Sequence, residues 1–318
     1  VNEEILSGMV YGPVPSRRLG RSLGINNIPP VHCTYSCVYC QLGRNKKMIS
    51  TMRPFYDPEK LAKQVYEKIN EVRKKNEVID YLSFVPDGEP SLDINIGKTI
   101  RLLKKTGIKI AVITNSSLLS DKSAQENLME ADWVSLKVDA VRENTWHRIN
   151  RPHKTFNLQT IRKGMIEFAG NFRGIIATET MLVKVLNTEK DEITDTADFI
   201  SDLKPGISYI SIPIRPPAEE QVFPPDEHCV NMTYQIFTDR IMKVECLTGY
   251  EGNDFTQSGQ IQDTILNITS VHPMREENIR KMLIEAKTDW HIIDDMIREK
   301  KLIEIKYNDI KFYLRKFR

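Results

Sequence analysis

The sequence predicts an α/β fold of six parallel strand–helix units followed by a small C-terminal domain of different pattern. Three observations carry that prediction. Buried-strand runs alternate six times with amphipathic helical stretches over residues 22–213, and short connections between unlike elements favour parallel βα units. The strand runs end in turns that carry chemically capable side chains, and in parallel barrels sites gather at the C-terminal strand ends. From Thr264 the rhythm changes to helical stretches and a hairpin.

Composition bounds the rest. With 318 residues the chain can bury one barrel-sized core and an appendage. Charged residues at 28% and hydrophobic residues at 40% are ordinary for a globular protein, and a net charge of +2 selects neither nucleic acid nor acidic partners. No run approaches the roughly 18 apolar residues of a membrane span. The start, Val1-Asn-Glu-Glu-Ile5, lacks the basic and apolar regions of a signal peptide. A reducing cytoplasm is therefore the expected compartment, with no membrane partner.

In chain order, Tyr11–Asn26 reads as an irregular, Gly- and Pro-rich approach to a short strand near Ser22–Asn26. Its Arg17, Arg18 and Arg21 could meet an anionic group or form a solvated basic loop. Asp57-Pro58-Glu59 caps a helix to about Lys75, with Leu61, Val65 and Ile69 on one stripe. Strand runs follow at Ile79–Val85, Ile108–Ile113, Asp132–Val138, Ile175–Val183 and Ile207–Pro213. Helices are expected near Ile94–Lys105, Glu143–Arg148, Phe156–Ala169 and Glu189–Lys204, with another between the third and fourth strands. Residues 219–262 read as a connector, with a helix near Tyr234–Leu247, a Gly-rich run Gly249–Gly259 and Glu251 as a possible acid or base.

The chemistry centres on Val31-His-Cys-Thr-Tyr-Ser-Cys-Val-Tyr-Cys-Gln-Leu-Gly43, which holds three of the five cysteines, Cys33, Cys37 and Cys40. The spacing lets one loop turn three soft thiolates toward one centre, a donor set for an iron–sulfur cluster, zinc or copper(I). Three ligands and a vacancy suit a cluster with one open iron. A zinc knuckle completed by His32 or a remote cysteine stays open on the cysteines alone. A disulfide pairing of an odd triplet is the weaker reading. Cys229 and Cys246 are expected to be buried apolar thiols.

These residues resemble the signature of the radical S-adenosylmethionine (SAM) superfamily, with Tyr39 as its aromatic residue. The resemblance implies a partial (β/α)6, TIM-like barrel and a [4Fe–4S] cluster on Cys33, Cys37 and Cys40, whose fourth iron takes the amino and carboxylate groups of SAM. It further implies one-electron cleavage of SAM to methionine and a 5′-deoxyadenosyl radical, with an electron donor of the flavodoxin or ferredoxin type. Asp87-Gly88-Glu89-Pro90 looks like the family's Gly-Gly-Glu-Pro element along the methionyl amino group, with Asp87 replacing the first glycine. Thr114-Asn115 resembles the ribose-side Thr-Asn-Gly element, with Ser116 where glycine is common. Ser135–Ala140 resembles the Ser-Leu-Asp-Ser run, which puts Asp139 on its aspartate and Lys137 where a side chain reaches SAM's carboxylate.

Further stretches, Gly12–Gly20, Tyr39–Gly43, Ile149-Asn-Arg-Pro-His153 and Ile212–Ala218, resemble the group related to the tRNA wybutosine-synthesis enzymes. Arg151 and Arg215 are candidates there for substrate contact or for surface capping. The upstream cysteines of those enzymes' second cluster are missing from residues 1–32. In the tail, three apolar helical faces and a hairpin around Asn308-Asp309 resemble a winged helix. Its twelve Lys and Arg against nine Asp and Glu from Ile265 to Arg318 are less lopsided than a DNA-reading module usually carries.

The expected domains are a core at 1–218, a connector draped on it at 219–262, and a winged-helix-like domain at 263–318. The leading function is reductive SAM cleavage for hydrogen abstraction from a substrate the sequence does not identify, with RNA and a protein or peptide as the candidates; no catalytic side chain is assigned. The alternatives are an iron–sulfur sensor or DNA-binding regulator with an inactive barrel, and a zinc-stabilised scaffold.

Overall fold

The computed structural model describes residues 9–247, 261–271, 273–307 and 310–315. The described residues begin with a hairpin, β1 (Val10–Ser16) and β2 (Gly20–Ile25): β2 is the short strand expected near Ser22–Asn26, and β1 stands where an irregular approach was expected. β1 escaped the pattern because it carries Gly12, Pro13 and Pro15. An edge strand with a bulge tolerates such residues, and the register of β1 on β2 shifts between Tyr11 and Val14.

After the cysteine loop comes α1 (Pro58–Lys74). Asp57 accepts from Lys60 N at 2.9 Å, Pro58 opens the first turn, and Leu61, Val65, Ile69 and Val72 are buried. Then follow β3 (Tyr81–Phe84), α2 (Ile96–Leu103), β4 (Lys109–Thr114), α3 (Lys122–Leu128), β5 (Trp133–Lys137), α4 (Glu143–Asn150), α5 (Leu158–Asn171), β6 (Ile175–Met181), α6 (Lys190–Asp202) and β7 (Ile207–Ser211). The stretch expected as one helix over Tyr234–Leu247 is instead α7 (Glu227–Thr238), capped by Asp226, and a short strand β8 (Val244–Leu247). The four-residue strand was too short to show a period of its own.

All eight strands form one sheet in sequence order, β1 antiparallel and β2 through β8 parallel. The partial-barrel expectation therefore holds with two strands more than the six read from the sequence. The core is continuous beneath it: Leu23, Leu82, Val112, Val134 and Ile210 from the strands are fully buried against Val65, Ile100, Phe168 and Ile200 from the helices. Each such side chain contributes about 1.5–3 kcal/mol of burial.

The tail runs α8 (Ile261–Val271), β9 (Met274–Arg275), α9 (Glu276–Glu285), α10 (His291–Arg298), β10 (Leu302–Tyr307) and β11 (Ile310–Arg315), with β9 pairing β11. Ile265, Ile268, Ile279, Met282, Ile293 and Tyr313 form its core, and Val14 of β1 packs into it. Ile303 of the β10–β11 hairpin is exposed. The Asn308-Asp309 turn, Gly249–Gly259, Glu251 and Val1-Asn-Glu-Glu-Ile5 lie outside the described residues. Among those described, no helix is long and apolar enough to cross a membrane.

Candidate metal and cofactor site

The cysteine loop lies over the C-terminal ends of the parallel strands. Val31 N donates to Asp87 O at 2.7 Å, Glu89 N donates to His32 O at 2.9 Å, and His32 bridges Gly88 in parallel. A Cβ on Gly88 would stand 2.0 Å from the His32 carbonyl oxygen. Only glycine lets the loop dock this closely. Val31 itself holds φ +63°, a strained setting for a β-branched residue.

On its other side the loop is zipped to the segment after α4. Val38 N donates to Ile149 O at 2.9 Å, Ser36 N to Asn150 O at 3.1 Å, and His153 N to Thr34 O at 3.0 Å. Within the loop, Asn45 Nδ2 donates to Cys33 O at 3.1 Å. Cys33, Cys37 and Cys40 are each half-buried and unpaired with another cysteine. Burial pushes all three thiols up, Cys37 to about 12, so loading a metal must displace their protons.

Three soft thiolates brought together on one loop are a donor set that an iron–sulfur cubane would accept. The His32 Nδ1 lies 3.0 Å from Pro30 O, and its ring stands edge-on to Phe55. Side-chain amides reach two of the sulfurs: Asn115 Nδ2 lies 3.5 Å from Cys33 Sγ, and Asn150 Nδ2 lies 3.5 Å from Cys37 Sγ.

Around this loop stand the other residues singled out in the sequence. Glu89 is fully buried and accepts from Ser91 N at 3.0 Å, Ser91 Oγ, Thr114 Oγ1 at 2.6 Å and Asn115 N at 2.7 Å. Its carboxylate ties β3 to the end of β4, and both Glu89 and Thr114 are spent on that tie. Burial nonetheless pushes its carboxyl up. Ser116 has φ +69°, the conformation that explains why glycine suits this position. Asp87 is half-buried, and burial pushes its carboxyl up to about 7.

Lys137 closes β5 and donates to Glu179 Oε1 at 3.0 Å; its Nζ sits 5.2 Å from the Tyr39 ring centroid. Arg18 holds the other Glu179 oxygen at 2.5 Å. Burial works to raise Glu179, but Arg18 and Lys137 outweigh it and hold the carboxyl at about 2. For Lys137, burial works to lower the ammonium, and Glu179 with Asp139 more than offsets it. Asp139 accepts from Tyr39 OH, from Asn150 Nδ2 at 2.7 Å and from Met181 N at 2.8 Å.

Sequence reasoning missed Glu179, Asn150 and Glu219. The first had a signal: a glutamate inside the apolar strand Ile175–Met181, whose register sets it beside Lys137. Glu219 is buried and gathers Arg44 and Arg151, and the two guanidiniums hold it at about 2. Arg151 thus faces a carboxylate of its own chain. Arg21 is exposed, and its backbone N–H reaches Asp80. Cys246 is exposed and Cys229 half-buried at α7, so neither is the buried thiol expected.

Residues 27–200 match the model of the radical SAM superfamily. The chain is 44% identical over 309 residues to a UPF0026 protein of Methanocaldococcus jannaschii, covering 96% of each. It is 31% identical over 246 residues to a UPF0026 protein of Synechocystis, covering 76% of this chain and 88% of that one. A Brachyspira hyodysenteriae protein named GTPase Obg is 36% identical over 197 residues, but these make up 28% of its length and 62% of this chain. Among solved structures, Streptococcus suis SuiB bound to S-adenosylmethionine covers 73% of this chain and 52% of its own at TM-score 0.52 and 15% identity. A radical SAM methyltransferase from Sphaerobacter thermophilus covers 71% and 66% at TM-score 0.50 and 13% identity. At such identities the likeness is one of fold. The family match over more than half the chain, with the full-length relative, carries the assignment: this protein belongs to the radical SAM superfamily and to its UPF0026 group.

Proposed function

We propose that this chain binds a [4Fe–4S] cluster through Cys33, Cys37 and Cys40 and uses it to cleave SAM reductively, for hydrogen abstraction from a macromolecular substrate. The observation that carries the reading is the trio of half-buried thiols on a loop docked over the strand ends, beside Glu89, Asn115 and the Lys137–Glu179 pair. When bound, such a cluster supplies the electron that breaks the sulfonium C–S bond of SAM.

The chain's own residues have separable tasks in this reading. Gly88 keeps the loop close to β3, and Glu89 fixes the turn that carries Asn115. Lys137 offers an ammonium to the methionyl carboxylate at the end of β5. Asp139 takes the Tyr39 hydroxyl and so holds the loop against the end of β5. The electron comes from a flavodoxin- or ferredoxin-type donor in a reducing cytoplasm.

The substrate reading rests on the motifs shared with the tRNA wybutosine-synthesis group and on the tail. RNA and a protein or peptide are both compatible with those motifs. In this reading the winged-helix-like tail, roughly residues 263–318, positions substrate or a partner and does not read operator DNA. Tyr307 OH donates to Val222 O at 3.0 Å, so its hairpin meets the strap that carries Glu219.

The experiment is anaerobic reduction of the reconstituted protein with saturating SAM. Methionine and 5′-deoxyadenosine should form slowly alone and faster with cell-extract RNA or protein. A reduced, cluster-loaded, SAM-saturated protein that never makes the nucleoside would favour the sensor with an inactive barrel.

A further inference from the structure

The chain after α4 does more than end a helix. Arg151 takes the left-handed conformation, φ +45°, and turns the backbone out of α4 alongside the cysteine loop. Asn150, the last residue of the helix, is left pointing at that loop with 3% of its surface exposed. Its Nδ2 lies 2.7 Å from Asp139 Oδ2, 3.5 Å from Tyr39 OH and 3.5 Å from Cys37 Sγ.

The orientation of this amide is fixed by chemistry. An ionised carboxylate only accepts, so the atom facing Asp139 must be the nitrogen. Asp139 is itself anchored by Met181 N at 2.8 Å and takes the Tyr39 hydroxyl. An amide nitrogen has two hydrogens. With one on Asp139, the other is directed toward the Cys37 and Tyr39 side. The loop cannot drift from it, because Val38 and Ser36 are bonded to the carbonyls of Ile149 and Asn150.

We infer that Asn150 is a positioning residue whose amide N–H bonds to the Cys37 sulfur and raises the reduction potential of the cluster held there. The inference rests on the cluster reading above. Reduction adds one negative charge, spread in part over the ligand sulfurs, so a donor at a sulfur stabilises the reduced state more than the oxidised one. Hydrogen bonds to ligand sulfurs are among the levers that set cluster potentials, and such outer partners also orient the ligands. Asn115 Nδ2, 3.5 Å from Cys33 Sγ, also donates to Thr34 Oγ1 at 2.7 Å.

The test uses the full chain, reconstituted anaerobically, as wild type and as Asn150→Leu. Iron content and an EPR-monitored potentiometric titration are measured on both. Wild type and variant should each hold about four irons per chain, with the variant's midpoint shifted to more negative potential. Equal midpoints at full iron content overturn the inference. So does a variant that loses iron while its remaining clusters titrate as wild type, because that marks a purely structural role. If Asn150→Leu fails to fold, Asn115→Ala protein labelled with 15N-asparagine leaves Asn150 as the side-chain amide at a cluster sulfur. Pulsed EPR of its reduced cluster should then detect a 15N coupling and an exchangeable-proton coupling, and absence of both overturns the inference. Wild-type protein that takes up no cluster at all defeats the underlying reading, and the inference with it.

Discussion

Two buried glutamates flank the cysteine loop, and the protein treats them in opposite ways. Glu89, after β3, is surrounded by neutral donors from Ser91, Thr114 and Asn115, and burial leaves its carboxyl raised. Glu179, on β6, is clasped by Arg18 and Lys137 and held at about 2. Hydrogen bonds to fixed donors make the first a tie between strand ends. Opposite charges make the second part of an electrostatic site, where Lys137 has a partner that an incoming carboxylate would share or displace. The same residue type thus serves architecture in one place and, in the proposed function, ligand chemistry in the other.

The largest expected effect breaks the tie. Glu89→Ala leaves four donors, three of them buried, without their acceptor, and each unsatisfied buried donor costs about 1–3 kcal/mol. Urea unfolding should register a loss of about 3 kcal/mol or more, allowing for water entering the gap. A loss under about 1 kcal/mol would mean that the tie is not structural.

Lys137→Ala sharpens the other half of the comparison. Glu179 keeps Arg18, so stability should change by only about 1 kcal/mol, whereas SAM binding should weaken by roughly 1.5–3 kcal/mol, the range for charged hydrogen bonds. Isothermal titration of the reconstituted protein measures this directly. An unchanged dissociation constant would remove Lys137 from the SAM site.

A smaller effect is expected at Asp87, which stands where the family commonly has glycine. Burial raises its carboxyl to about 7, against about 3.9 in an unfolded chain. Between those values the folded state binds the extra proton, so this residue's contribution to stability falls as pH rises from about 4 to 7 and stays low above. Asp87→Asn should flatten that slope, gaining on the order of 1 kcal/mol at pH 8 and little near pH 4. Urea midpoints of the metal-free protein at the two pH values suffice. Parallel slopes for wild type and variant would count against a desolvated Asp87.

Much of this is legible in the amino-acid sequence. The three cysteines sit in a local pattern, and Gly88-Glu89, Thr114-Asn115 and Lys137 each stand at or just past the end of a strand whose apolar run announces it. β1 was hidden because edge-strand prolines read as loop, and β8 because four residues carry no period. The partners were harder. Glu179 is paired with Lys137 through β5–β6 register, which only the assembled sheet supplies. Asn150 reaches Cys37 because Arg151 turns left-handed, a backbone choice its sequence does not advertise.

In the proposed function Cys33, Cys37 and Cys40 together hold one cubane. Iron and acid-labile sulfide, counted in the anaerobically reconstituted full chain beside Cys37→Ser, test it most directly. One cubane gives about four of each per wild-type chain and loss of both in the variant. Tetrahedral zinc without sulfide in the wild type, or undiminished iron and sulfide in Cys37→Ser, would contradict it.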